Sequence, residues 1–228
     1  EFDVGVVGEG EITILELLDG LEHNSDLTAC KGLMVRNNGS VVFTGRREFI
    51  EDLDKLPFPA WDLLPDLVKY YQPAADSLYR TPSTLLITSR GCPGKCVFCE
   101  NSMFGDKLRA HSAEYVVKMM EHLHSNYGIK DIYFEDDNFV VFRKRTREFC
   151  NLLREKKIDI SFSVMGRVDM VNPEILKMLK EAGCWQVNYG CESGSQEILD
   201  NINKNVSVEQ TEQALHMTHN AGLKIKGL

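Results

Sequence analysis

The densest chemistry in the chain lies in the stretch Gly91-Cys-Pro-Gly-Lys-Cys-Val-Phe-Cys-Glu100, which sets Cys92, Cys96 and Cys99 at the spacing Cys-x3-Cys-x2-Cys. Sulfur donors crowded into one loop suit soft metals: iron-sulfur clusters, zinc or copper. Gly91, Pro93 and Gly94 turn the backbone sharply enough for the sulfurs to converge. The number of sulfurs is informative. A ferredoxin cubane takes a cysteine on every iron, so a loop with only three leaves one iron open to a small molecule. Two closed arrangements use the same residues. A further sulfur from Cys184 or Cys191 makes an electron-transfer centre, and a histidine such as His111 completes a structural zinc site.

The aromatic Phe98 ahead of the last cysteine, and the wider text Ile87-Thr-Ser-Arg-Gly-Cys-Pro-Gly-Lys-Cys-Val-Phe-Cys99, give the loop a familiar form. It resembles the cluster loop of the radical S-adenosylmethionine (SAM) superfamily, and most of all the branch with a cobalamin-binding domain ahead of the radical domain. The likeness runs over most of residues 1–228 and is tightest over 84–195. The resemblance implies a 4Fe-4S cluster on Cys92, Cys96 and Cys99, with SAM on the open iron through its amino and carboxylate groups. Reductive cleavage of SAM then gives a 5′-deoxyadenosyl radical that abstracts hydrogen from a substrate. It implies a reductant such as flavodoxin or ferredoxin. In the cobalamin branch it implies methyl transfer by the full-length protein, with ring formation and oxidative rearrangement as other family outcomes. Neither the substrate nor the reaction is legible in the residues.

The same resemblance distributes further roles. In Phe134-Glu-Asp-Asp-Asn138, consecutive acids repel one another. The family binds the SAM amino group here, largely through backbone oxygens, although its Gly-Gly-Glu segment is replaced. Asp136 and Asp137 are the candidates, ahead of Glu135. On residue type alone the stretch is a solvated acidic turn. Arg167 has the planar fork that suits the SAM carboxylate, or it pairs with Asp169. The segment Gly190-Cys-Glu-Ser193 matches the family's Gly-x-Glu-Ser, where the acid accepts from the ribose hydroxyls. That gives Glu192 and Ser193 as SAM contacts, the bland alternative for Glu192 being a cap on the helix starting near Ser195. Phe98 lies against the adenine or plugs the cluster from water. Strand alternation turns Cys191 to the opposite face from Glu192, into the core.

These residues need a scaffold that brings distant stretches together, and the pattern supplies one. Apolar runs at 84–88, 131–134, 158–164, 185–190 and 223–228 read as strands. Between them, helices are expected from Ser112 to Tyr127, over 143–156, from Asn172 with Pro173 at its first turn, and from a Ser207/Gln210 capping box to Gly222. Alternating strands and helices make an α/β fold with a parallel sheet. The resemblance specifies a partial, TIM-like parallel (β/α)6 barrel, truncated in the fifth unit, with chemistry at the carboxyl ends of the strands.

Residues 1–30 read as the tail of a Rossmann-like cobalamin-binding domain, because the family closes that domain with Gly-Glu-Gly-Glu, here Gly8 to Glu11. The cobalamin histidine motif is not around His23, which reads as a surface residue. A dinucleotide fingerprint is rejected, since Gly5, Gly8 and Gly10 lack its spacing. Residues 31–82 read as a β-hairpin, 33–36 with 41–44 around Asn38-Gly39, and then an ordered Pro-rich linker. Residues 83–228 are the radical SAM core.

The bulk numbers narrow the function classes. A net charge of −8 over 228 residues argues against nucleic acid as a partner. No apolar run reaches the length of a membrane span, and no signal peptide is evident. The cysteine total of 7 is odd, which suits a reducing cytoplasm better than a disulfide framework. The start at Glu1 without Met reads as a piece of a longer polypeptide.

Overall fold

The computed structural model describes residues 2–37 and 39–228. They form two compact units, one running to Glu51 and including Glu100–Lys107, the other comprising Asp52–Cys99 and Leu108–Leu228.

The first unit contains β1 (Val4–Val6), α1 (Glu11–Glu22), β2 (Leu33–Asn37) and β3 (Ser40–Phe43). The strands form an antiparallel sheet in the order β1-β2-β3, so residues on both sides of position 30 share one sheet. Leu17, Leu33 and Val35 make its small core. The hairpin forms with Asn37 opposite Ser40. Its expected turn includes Asn38, outside the described residues, while Gly39 has φ +83°, the sign that a primed hairpin turn requires.

In the second unit the prolines limit the linker to 3-10 turns at Leu53–Lys55, Trp61–Leu63 and Ala75–Ser77, and one α-turn, α2 (Leu67–Tyr70). It is nonetheless anchored: Trp61 and Leu67 are buried in the main core and Phe58 packs on it. Next come β4 (Ser83–Leu86), the short pair β5 (Ser89–Arg90) and β6 (Arg109–Ala110), α3 (Ala113–Tyr127), β7 (Asp131–Phe134) and α4 (Arg143–Lys156). Then follow β8 (Ser161–Gly166), α5 (Pro173–Glu181), β9 (Cys184–Tyr189), α6 (Gln196–Asn201), α7 (Val208–Asn220) and β10 (Lys224–Gly227).

Five parallel strands stand in the order β4-β7-β8-β9-β10. Strand order follows chain order, and each crossover carries a helix. This is the wall of a barrel, not a doubly wound sheet, whose order reverses. The helix ends obey local chemistry. Ser112 Oγ accepts from Tyr115 N at 3.1 Å, Gly128 ends α3 with φ +67°, and Asn172 Oδ1 accepts from Ile175 N at 2.9 Å ahead of Pro173. Both halves of the Ser207/Gln210 capping box are present.

Beneath the helices Phe134, Phe139, Phe149 and Phe162 interlock, with ring centroids 5.0 to 5.8 Å apart. Loss of any one buried ring costs about 3–5 kcal/mol. The other face of the strands is polar: Gln186 Nε2 donates to Asn188 Oδ1 at 2.7 Å, and Asn188 Nδ2 to Val164 O at 3.2 Å. Two strand positions differ from the sequence pattern. The third barrel strand starts at Ser161 instead of 158, because Ile160 N folds back onto Ile158 O at 2.9 Å. The first ends at Leu86, and Ser89 and Arg90 turn to pair antiparallel with Ala110 and Arg109. Among the described residues no helix is long and apolar enough to cross a membrane.

Candidate functional site

The sulfur loop leaves the carboxyl end of β4, and its base is fixed by a buried acid from the next strand. Asp136 is 1% exposed and accepts from Thr88 N at 2.9 Å, Thr88 Oγ1 at 2.9 Å and Ser89 Oγ at 2.5 Å. The buried guanidinium of Arg145 donates to the same Thr88 hydroxyl. Burial pushes the Asp136 carboxyl above its usual range, and Arg145 with the hydroxyls pulls it back. The Asp136 side chain therefore ties the end of β7 to the start of the loop. Its neighbours Glu135 and Asp137 are exposed, and partial burial raises both carboxyls, with Lys226 opposing the rise at Glu135.

Along the loop Cys96 is buried, Cys92 half-buried and Cys99 exposed, all as free thiols. Cys99 N donates to Cys96 O at 3.1 Å. Gly94 is the floor of a cradle. A Cβ there would lie 3.3 Å from Arg167 Nη1, 3.4 Å from Cys92 Sγ and 3.9 Å from Cys96 Sγ. Arg167, after β8, is clamped by Asp169, Nε to Oδ1 at 2.9 Å and Nη2 to Oδ2 at 3.1 Å, and also donates to Lys204 O at 3.2 Å. Burial works against its charge, but Asp169 and then the nearby thiols Cys96 and Cys92 outweigh burial. The ion pair with Asp169 weighed as an alternative for Arg167 is thus present, and it aims the guanidinium at the loop.

Glu192, after β9, sits at φ +63°, a left-handed conformation that a non-glycine residue holds only where its surroundings enforce it. Its Oε1 accepts from Lys204 Nζ at 2.8 Å, so it does not cap α6. Gly190 admits this pair, because a Cβ there would stand 2.7 Å from Glu192 Oε1 and 2.9 Å from Lys204 Nζ. Ser193 Oγ accepts from Ser195 N at 3.1 Å, shaping the turn. Cys191 packs against the core as expected from strand alternation.

The structure thus brings Cys92, Cys96, Cys99, Phe98, Arg167 and Glu192 into one neighbourhood, joined by a residue the sequence reading missed. Lys204 Nζ lies 5.9 Å from the Phe98 ring centroid as well as beside Glu192. Its neighbours hold the loop: Val97 N donates to Ile202 O at 3.0 Å and Asn203 Nδ2 to Lys95 O at 2.8 Å. The available signal was Asn203-Lys-Asn205, two residues tolerant of left-handed backbone, and both have φ +55°. Thr88, Ser89 and Arg145 carried no such signal.

The ligands needed for a closed centre are engaged elsewhere. His111 stacks on Tyr115 at 4.4 Å and pairs with Asp54 at 3.2 Å. Cys184 starts β9, at the far end of that strand from Glu192, and its thiol, pushed far up by burial, donates to Gln186 O at 3.3 Å. Among the described residues no three His, Cys, Asp or Glu side chains gather to hold a single metal ion. The soft donor set, the side-chain-free cradle at Gly94 and the cation beside it fit an anionic thiolate-bound cluster.

A sequence profile of the radical SAM superfamily matches residues 86–228. The chain belongs to the radical SAM superfamily. An uncharacterized methyltransferase of Pyrococcus horikoshii is 38% identical over 226 residues, covering 99% of this chain and 48% of that protein. The cytidylyl-2-hydroxyethylphosphonate methyltransferase of Streptomyces wedmorensis is 28% identical, covering 99% and 47%. This radical SAM chain therefore spans about half the length of these relatives. In fold it is similar to the cobalamin-dependent S-adenosylmethionine radical enzyme OxsB, with a TM-score of 0.84 at 23% identity, covering 96% of this chain and 32% of that one. The radical SAM methyltransferase TsrM of Kitasatospora setae gives 0.75 at 19% identity, covering 99% and 45%. Those two likenesses concern the fold.

Proposed function

We propose that Cys92, Cys96 and Cys99 hold a 4Fe-4S cluster and that SAM binds beside it, over the carboxyl ends of β4, β7, β8 and β9. A cluster bound there supplies one electron, delivered by a flavodoxin or ferredoxin, to break SAM and start hydrogen abstraction from a substrate. The protein's own residues position and shield. Arg167, held rigid by Asp169, offers its fork to the SAM carboxylate. Glu192 accepts from the ribose hydroxyls, Ser193 shapes the turn that presents it, and Phe98 lies against the adenine while covering the sulfurs. At the amino group Asp137 offers an exposed carboxylate, and Asp136 contributes through its main chain, because its carboxylate already holds Thr88 and Ser89. The carrying observation is the Gly94 cradle, where two sulfurs and the Arg167 guanidinium converge on one side-chain-free position.

The longer protein is, on this reading, a cobalamin-dependent methyltransferase. The name of the Pyrococcus relative and the fold likeness to OxsB and TsrM support that reading. The test is anaerobic reconstitution with iron and sulfide followed by dithionite and SAM. Release of 5′-deoxyadenosine or transfer of the methyl group is expected. A colourless protein that leaves SAM intact would refute the reading.

A further inference from the structure

We propose that Lys204 is a positioning residue: it fixes Glu192 for its ligand and fastens that acid to the sulfur loop. The proposal rests on the reading of this site as the SAM site. Lys204 has a side chain only 10% exposed, and its ammonium meets Oε1 of Glu192 at 2.8 Å, while the Glu192 side chain stays 26% exposed. The same ammonium stands 5.9 Å from the Phe98 ring, on the loop between the second and third cysteines. The main chain of Lys204 accepts from Arg167 at 3.2 Å. One residue therefore touches the acid, the arginine and the aromatic ring that are assigned to three different parts of SAM.

The side chain is not what holds the local turn. Lys204 N already donates to Leu199 O at 3.0 Å, and Asn203 and Asn205 supply the left-handed positions on either side. A half-buried ion pair of this kind contributes little to net stability once desolvation is counted. What it does contribute is direction. Glu192 sits in a left-handed conformation with a flexible carboxylate, and among the described residues the Lys204 ammonium is the hydrogen-bond partner that selects its rotamer.

The test compares Lys204→Met, Lys204→Gln and Lys204→Arg in anaerobically reconstituted protein, measuring iron content and SAM binding by equilibrium dialysis with labelled SAM. The neutral variants are expected to keep the wild-type iron content and lose about tenfold or more in SAM affinity, the scale of a charged hydrogen bond. Lys204→Arg is expected to recover affinity to within about threefold, a rescue that a mere filler of space would not require. In a Glu192→Gln background, Lys204→Met is expected to add less than about twofold, because the lysine acts through that acid. Equal affinity in the neutral variants, fully additive losses in the double variant, or loss of iron in both neutral variants would overturn the proposal, the last by making Lys204 a prop of the loop. Wild-type protein that takes up iron but does not bind SAM would instead overturn the functional reading beneath it.

Discussion

Arg167 closes on Gly94 so nearly that a methyl group on the glycine would lie 3.3 Å from the guanidinium Nη1. The arginine cannot swing freely away, because Asp169 grips two of its nitrogens. The Cys92 sulfur bounds the same space at 3.4 Å. Gly94→Ala asks its neighbours to yield a few tenths of an ångström and is expected to keep most of the iron. Gly94→Val is expected to lose at least half of it while the folded baseline in circular dichroism is unchanged. Equal iron content in the two variants would mean that the cradle is not used.

A second glycine works in the same way. A Cβ on Gly190 would overlap both Glu192 Oε1 at 2.7 Å and Lys204 Nζ at 2.9 Å, which are the ends of flexible side chains. Gly190→Ala is therefore expected to cost little in thermal stability and to part the ion pair. SAM affinity measured by equilibrium dialysis is expected to fall severalfold with iron content retained.

The buried Asp136 carboxylate lies within the electrostatic reach of Arg145, itself only 8% exposed, and the two meet through the Thr88 hydroxyl that both engage. Removing one partner of such a pair leaves the other charge uncompensated. Asp136→Ala is expected to lower unfolding stability by about 3–5 kcal/mol in urea titration, and to reduce iron uptake through disorder at Thr88 and Ser89. A variant as stable as wild type would show that the acid does not anchor the loop.

His111 makes the fold sensitive to mild acid. Burial holds its imidazole below the ordinary histidine range, against the pull of Asp54. The unfolded chain therefore takes up this proton first as pH falls, and the folded state loses stability from about pH 6.5 downward. The slope attains at most about 1.4 kcal/mol per pH unit for one proton. Denaturation midpoints are expected to be flat between pH 8 and 7 and to drop toward pH 5.5. His111→Phe, which keeps the stack on Tyr115, is expected to flatten that drop, and an unchanged drop would assign it to other groups.

Much of this architecture was legible because it is written in local signals. Periodic apolar runs, Asn172-Pro173 and the Ser207/Gln210 box all mark their elements, and the cysteine spacing marks the loop. What sequence reasoning could not supply was pairing across long separations. The resemblance assigns Asp136 to the SAM amino group, and only the fold brings Thr88 and Ser89 onto its carboxylate. Lys204 lies 12 positions from Glu192 and over a hundred from Lys95, whose carbonyl its neighbour Asn203 holds. No period or motif encodes that convergence. The strand shift at Ser161 has a local origin instead, since residues 158–160 form a tight turn, Ile160 N to Ile158 O, ahead of the sheet.

The central claim is a cluster held by three cysteines with its remaining iron accessible to SAM. Electron paramagnetic resonance of the reconstituted, dithionite-reduced protein, recorded without and with SAM, tests it directly. We expect about four irons per chain, a reduced-cluster signal whose g-values shift when SAM is added, and loss of that signal in Cys96→Ala. A signal indifferent to SAM, or one that survives Cys96→Ala, would contradict the account.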